Sequence, residues 1–184
     1  LPIFWNSTWG LMQQVNAYGI TIDTEKDLYI TGRIRYSGTG LEDAFVVKYN
    51  SFGTKLWNRT WGGSFDEFGC EIVVAGIDAV YITGFTDSFG AGLEDVFVAK
   101  YTSQGEQLWN TTWGGSDSEW GEGLRVDSDG NVVIVGWTES YGSVGADIFL
   151  LKYNEAGVLQ MEVIWGDDLR SEERRVGKEC RSRW

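Results

Sequence analysis

Apolar and polar positions recur along the chain in short segments separated by turn residues. The first set of four segments lies at about 17–23, 28–33, 44–49 and 55–61. Apolar runs of this length, bounded by Gly, Asn and Asp, are typical of β-strands, and the helical period of about 3.6 residues is absent. The pattern predicts an all-β protein built from four-stranded units.

Tryptophan marks the internal repeat most clearly. The repeated residues Trp9, Trp61, Trp113 and Trp165 are each 52 residues apart. Other residue types keep the same spacing: Gly32, Gly84 and Gly136; Asp43, Asp95 and Asp147; Phe45, Phe97 and Phe149; Lys48, Lys100 and Lys152. No insertion breaks the register. A four-stranded unit of this length is typical of a β-propeller blade.

The degree of apolarity indicates which strands are buried on both faces. The segments 96–99 and 132–137 are almost continuously apolar, as expected for strands covered on both sides. A lone four-stranded sheet leaves one face in water, whereas radially stacked sheets do not. A β-solenoid is the alternative, but hairpin signals such as Asp129-Gly130-Asn131 favour antiparallel blades.

Three segments of the second repeat together resemble the SBBP-type β-propeller repeat. They are Tyr-Ile-Thr-Gly at 81–84, Asp-Val-Phe-Val-Ala-Lys-Tyr at 95–101 and Trp-Asn-Thr-Thr-Trp-Gly-Gly at 109–115. The resemblance covers nearly all of residues 1–169. It implies a large surface or secreted protein of archaea or bacteria, so we expect an extracellular or cell-surface location.

The resemblance also implies how the strands are ordered. The first strand of each unit is innermost and the fourth outermost, so 1–9 is the outer strand of a preceding blade. Three whole blades follow, at about 17–61, 69–113 and 121–165. A closed propeller needs about four to eight blades, so this one is open. We therefore expect further blades in the full-length chain, bare apolar faces at both ends, and self-association of the isolated chain.

The last fifteen residues, 170–184, depart from this pattern. They form a mixed-charge run without strand alternation, resemble a conceptual translation of a sequencing adapter, and are expected to be a non-native tail. The chain carries a net charge of −12, and the tail contributes six basic and three acidic residues, so the remainder is more acidic still. Such a chain repels nucleic acid and anionic lipid and favours cations or basic partners. No apolar run approaches the length of a membrane span.

Acidic residues cluster where the predicted loops of one propeller face begin and end. They are Glu42, Asp43, Asp66, Glu67, Glu94, Asp95, Asp117, Glu119 and Asp147. One interpretation is a ligand face for a cation or a basic molecule. For the repeated Asp the structural interpretation is favoured, because such a residue commonly accepts backbone hydrogen bonds in a turn.

Three further patterns are candidate sites. Asp127, Asp129 and Asn131 look like the start of a calcium loop, although a hairpin turn is favoured because no Glu follows at EF-hand spacing. Asn6, Asn58 and Asn110 head Asn-x-Thr sequons that could carry glycan on a secreted protein. The repeated tryptophans suggest packing between blades more strongly than sugar stacking.

No catalytic constellation is expected. The chain contains no His, which excludes Ser-His-Asp and Cys-His arrangements, and Cys70 lies in an apolar strand. Cys180 falls in the tail, so no disulfide is expected. The sequence predicts a non-catalytic binding or scaffolding module without a cofactor. Two alternatives stay open: a calcium-supported adhesin or glycan-binding module, and part of a propeller enzyme whose catalytic residues lie outside this segment.

Overall fold

The computed structural model describes residues 14–35 and 41–166. These residues contain no helix and form three four-stranded antiparallel sheets, which we call the first, second and third blades. In chain order the strands are β1 (Gln14–Ile22), β2 (Leu28–Arg35), β3 (Glu42–Tyr49), β4 (Lys55–Trp61), β5 (Glu67–Ala75), β6 (Ala79–Thr86), β7 (Asp95–Tyr101), β8 (Gln107–Trp113), β9 (Glu119–Val126), β10 (Val132–Thr138), β11 (Asp147–Tyr153) and β12 (Leu159–Trp165). The segments 1–9 and 170–184 lie outside the described residues.

Each blade is a meander in which strands adjacent in sequence pair with each other. A β-bulge interrupts the pairing of the first two strands in every blade, between Ala17 and Gly19 in the first and between Gly69 and Glu71 in the second. Pairing continues on the far side of the bulge. For this reason the innermost strands begin two or three residues earlier than the apolar pattern predicts.

The blades stack face to face around their first strands. Strand β5 contacts β1, β2 and β3, and β9 contacts β5, β6 and β7. First strands of successive blades therefore converge, which places them on the inside of the stack. No sheet closes on itself among the described strands. The architecture is an incomplete β-propeller, and the predicted fold class is confirmed.

Apolar side chains fill the two interfaces between blades, here called the first seam and the second seam. The first seam buries Val46 and Trp61 of one blade against Ile72 and Phe97 of the next. The rings of Trp61 and Phe97 stack with centroids 4.1 Å apart. At the second seam the equivalent Trp113 and Phe149 rings lie 4.8 Å apart. Aromatic contacts of this kind add to the free energy of area burial.

A tryptophan on each fourth strand is bonded across the seam to the following blade. The indole Nε1 of Trp57 donates to Ser103 O over 3.0 Å, and that of Trp109 donates to Glu155 O over 3.0 Å. The acceptors belong to the turn between the third and fourth strands of the next blade. Each seam thus joins the two blades by a polar bond at its outer side.

The repeated lysine strengthens the same contact. Lys48 Nζ donates to the carbonyl that accepts from Trp57, over 3.4 Å, and Lys100 Nζ does so at the second seam over 3.3 Å. Both ammonium groups also lie over tyrosine rings, at 4.8 Å from Tyr29 and 5.3 Å from Tyr81. These lysines are almost completely buried, which such paired donors and ring contacts make tolerable.

The third blade exposes the face that its predecessors bury. Ile148 is 49 % exposed, whereas its equivalent Val96 is 1 % exposed. Trp165 is 61 % exposed, whereas Trp61 is 8 % exposed. The bare apolar face expected at this end of the stack is therefore present among the described residues.

The free face of the first blade differs from that expectation. Along its inner strand Ile20 is exposed, as predicted, but Phe45 and Val47 on β3 are buried. They form a cluster with Ile34 and Tyr49. Only the inner part of this face is bare.

An aromatic column crosses the inner strands of the second and third blades. The rings of Phe68, Phe85, Trp120 and Trp137 follow one another with centroids 4.5, 4.2 and 5.3 Å apart. The guanidinium of Arg33 covers the free side of Phe68 at 4.4 Å. The column ties three blades together near their inner edge.

Candidate functional site

The predicted acidic residues all lie along one edge of the stacked blades. We call this edge, formed by the loops 62–66, 87–94, 114–118 and 139–146 and by the strand ends beside them, the acidic edge. Contacts between loops hold it together. Glu119 N donates to Glu94 O over 2.7 Å, and Leu93 N donates to Asp117 O over 3.4 Å.

Two glutamates of the acidic edge act as acceptors for backbone and hydroxyl groups. Glu67 accepts from Gly63 N and Thr86 Oγ1, each over 2.8 Å. Glu119 repeats this arrangement with Gly115 N at 2.7 Å and Thr138 Oγ1 at 2.8 Å. Both side chains are completely buried. These carboxylates fix the loop that leads from one blade into the next.

The repeated aspartates hold the other loop of each blade. Asp95 Oδ2 accepts from Ala91 N and Gly92 N at 3.0 and 3.1 Å. Asp147 accepts from both the backbone and the hydroxyl of Ser143. Asp43 lies at the equivalent position of the first blade and is partly exposed. The geometry of Asp95 and Asp147 is that of turn-forming residues.

Acidic groups also connect neighbouring blades. Asp66 Oδ1 accepts from Glu42 N over 2.8 Å, and Glu94 accepts from the hydroxyl of Ser118. The Glu42 side chain pairs with Arg33 at 2.7 Å and with Arg35 at 3.2 Å. Much of the acidic edge is therefore already bonded within the protein.

A cleft on this edge keeps acidic and apolar groups open. It has a volume of about 340 Å³ and is lined by Phe65, Asp87, Gly92, Leu93 and Glu94. Phe65 and Leu93 are 59 and 63 % exposed. Burial raises the pKa of Asp87 to about 6, and the nearby carboxylates of Glu94, Asp66 and Glu67 add to the shift.

Sequence reasoning did not identify Asp87 as a site residue. The equivalent positions carry Arg35 in the first blade and Glu139 in the third, so no repeated acid marks it. An acidic residue directly after the second strand in two of three blades was the available signal. Asp117, by contrast, was predicted, is exposed, and anchors its own loop by donating from its backbone N to Ser140 Oγ.

The calcium candidate is a closed hairpin turn on the opposite edge. Asp127 Oδ1 accepts from Asp129 N and Asn131 N, each over 2.9 Å. Its Oδ2 lies 2.7 Å from Lys152 Nζ. These donors, with the lysine contributing most, lower the pKa of Asp127. The oxygens that a cation would need are occupied by donors of the protein itself.

The sequons and the repeated tryptophans occupy the outer strands. Asn58 is partly buried and Asn110 is exposed, both on fourth strands, while Asn6 and Trp9 lie outside the described residues. Trp61 and Trp113 lie in the seams, and Trp165 is exposed on the third blade.

The remaining chemistry of the described part of the chain is sparse. Burial raises the pKa of the Cys70 thiol to about 11, so this group is held in its neutral, unreactive form. Within 14–35 and 41–166 no three His, Cys, Asp or Glu side chains are arranged to hold a metal ion. The same residues include no helix of the length and apolarity that a membrane crossing requires.

Fold and seams together define a propeller-like repeat module with three blades among the described residues. The chain is 26 % identical over 168 residues to an uncharacterized WD repeat-containing protein of Acanthamoeba polyphaga mimivirus, a match that covers 70 % of the chain. It is 27 % identical over 123 residues to the regulatory protein FlaEY of Caulobacter vibrioides, covering 59 % of the chain. The chain spans only 12 and 13 % of these relatives. No protein-family model matches it.

Proposed function

We propose that this chain is a non-catalytic, SBBP-type propeller module of a larger surface or secreted protein, and that it binds a basic, partly apolar segment of a protein partner at the acidic edge. The cleft between Phe65, Leu93, Asp87 and Glu94 carries the proposal. It combines exposed apolar surface with carboxylates in a concave site.

The distribution of bonded and open groups supports this location. Glu67, Glu119 and Asp95 are buried and hold loops, so they serve the fold rather than a ligand. Asp87 is exposed, and its only printed bond uses the backbone N, which donates to Asp66 O. Its carboxylate is therefore well placed to face a ligand.

The charge of the module supports a basic partner. The net charge of −12 attracts cationic ligands over long range. Apolar side chains beside the carboxylates add desolvated contact area, which charge alone does not supply. A segment that alternates Lys or Arg with Leu or Ile matches both features.

A labelled peptide of alternating Lys and Leu, followed by fluorescence anisotropy, tests the proposal. Asp87→Asn and Phe65→Ala should each weaken binding about threefold or more, the range for one exposed ion pair or one partly buried ring. The matched controls are Asp129→Asn and Ile77→Ala on the opposite edge, which should bind like the wild type. Equal binding by all five proteins would place the peptide elsewhere and end the proposal.

The calcium-supported adhesin and the enzyme fragment stay predictions. A rise of the thermal midpoint in calcium, reversed by chelator and lost in Asp127→Asn, would favour the first. Catalytic residues in the rest of the full-length chain would favour the second.

A further inference from the structure

Two buried carboxylates face each other at the second seam. A Cβ placed on Gly114 would overlap both Asp95 Oδ1 and Glu119 Oε2, so these two oxygens converge on one point beside the glycine. Asp95 is 1 % exposed and Glu119 is not exposed at all. Glycine at this position permits the close approach of the two acids.

The hydrogen-bond inventory leaves one of these oxygens without a donor. Asp95 Oδ2 accepts two backbone N–H groups of its loop, but Asp95 Oδ1 is buried and has no partner among the described residues. Glu119 Oε2 accepts only from Gly115 N. A buried oxygen that lacks a donor and faces a second negative oxygen carries a large desolvation and repulsion cost.

The other groups around the pair supply no positive charge. Glu94 and Asp117 belong to the loops that flank it, and Asp87 lies at the start of one of them. The remaining titratable neighbour is Tyr141, whose pKa is raised by burial and then by Glu119, Glu162 and Asp95. All of these groups are negative or neutral.

The first seam repeats the arrangement. A Cβ on Gly62 would overlap Asp43 Oδ1 and Glu67 Oε2. Glu42 and Asp66 are the charged groups next to this pair, and Arg33 and Arg35 are bonded to Glu42. The same two acids therefore meet at the same glycine in both seams, which points to a single physical solution.

We propose that Asp95 and Glu119 hold one proton between them in the folded protein, and that the resulting carboxyl–carboxylate hydrogen bond joins the second blade to the third. Asp43 and Glu67 do the same between the first blade and the second. The proton is taken from solvent, and no other bond is formed or broken. It supplies the donor that Asp95 Oδ1 lacks and requires no space that the buried site does not have.

This arrangement makes the seams more stable in mild acid. Burial raises the pKa of Asp95, with Glu119 adding to the shift and the N–H groups of Gly92 and Ala91 opposing it. Burial, followed by Glu67 and Asp66, raises the pKa of Asp43. A folded state with a raised carboxyl pKa binds more protons than the unfolded state, so stability rises as pH falls through that pKa towards 3.8. A salt-bridged carboxylate behaves in the opposite way.

Asp95→Asn in the full chain tests the proposal, because the amide donates where the shared proton would. Thermal unfolding should show a higher midpoint than the wild type at about pH 8, by about 2–4 °C, and no gain at about pH 5. Asp129→Asn, in an exposed turn, is the control and should follow the wild type. A midpoint lowered equally at both pH values would overturn the proposal, since Asp95 would then act as an ordinary carboxylate.

Infrared spectroscopy gives a readout that does not depend on how a variant folds. The wild-type chain at about pH 6 should retain a protonated-carboxyl C=O band, well above the ordinary pKa of Asp. Absence of that band overturns the proposal. Calcium chloride at about pH 8 separates a proton from a cation: stabilisation of the wild type that Asp95→Asn abolishes would assign the site to a cation instead.

Discussion

Trp57 donates its indole N–H to Ser103 O in the next blade, 46 residues further along the chain, over 3.0 Å. Trp109 and Glu155 repeat the bond at the same separation. The third blade has Met161 at this position, a side chain without a donor. A residue that looks like simple apolar filling therefore fixes how one blade is placed on the next.

Trp57→Phe should destabilise the protein by about 1–2 kcal/mol, because the turn carbonyl loses its better donor while Lys48 remains. The smaller ring also buries less area. Urea unfolding with tryptophan fluorescence measures the change.

Met161→Phe is the control for that variant. It alters a side chain at the equivalent position, where no cross-blade bond exists among the described residues, and should change the free energy of unfolding by less than Trp57→Phe. A Trp57→Phe variant as stable as the wild type would mean that the indole bond contributes nothing.

Gly105→Ala should be more destabilising than Gly130→Ala. Both glycines have a positive φ, +82° and +81°, so an alanine is strained by about 1–2 kcal/mol at either. Only at Gly105 would the new Cβ meet a side chain, at 2.8 Å from the Trp57 ring, whereas nothing lies near it at Gly130. Overpacking should add about 1–3 kcal/mol. Equal midpoints in urea for the two variants would contradict the contact.

Ile148→Lys should reduce self-association of the chain. Ile148 lies on the face of the third blade whose equivalents are buried in both seams. Sedimentation velocity should find dimers or larger species for the wild type and a shift towards monomer for the variant. Ile77→Lys, at a turn residue that is 91 % exposed, should leave the distribution unchanged. A monomeric wild type would refute this prediction.

Binding of the Lys–Leu peptide should weaken as pH falls from about 7 to about 5. Asp87 has a pKa of about 6, so it loses its charge within that interval. Asp87→Asn should bind weakly throughout and remove most of the pH dependence. An unchanged profile in the variant would show that other carboxylates dominate.

The apolar pattern was sufficient for the fold. Continuous apolar strands and a constant spacing require sheets covered on both faces, and stacking is the solution that the structure contains. The strand starts were less accurate, because a bulge at Ala17 and Gly19 leaves no mark in an apolar pattern.

The roles of the acidic residues could not be fully predicted. Glu67 and Glu119 look like loop carboxylates facing solvent, yet each is buried and bonded to a threonine 19 residues away. Bonds between residues so far apart depend on which loops the sheet brings together. The repeated Asp, for which a turn role was favoured, is bonded within its loop at Asp95 and Asp147.

The aromatic column escaped notice for a different reason. Phe68 and Trp120 occupy the place of Asn16, and Phe85 and Trp137 occupy the place of Arg33. A search for recurring residues passes over positions whose chemistry changes between blades. Physical continuity through space, not repetition along the chain, creates this feature.

The constant spacing of the seam residues has a consequence for how such a protein changes length. Removing 62–113 would bring Trp57 to the register of Glu155 and Trp61 to that of Phe149, with Asp43 opposite Glu119. Every donor would find an acceptor of the same kind. A gene encoding these blades can therefore gain or lose whole units by recombination without any compensating mutation at the new junction.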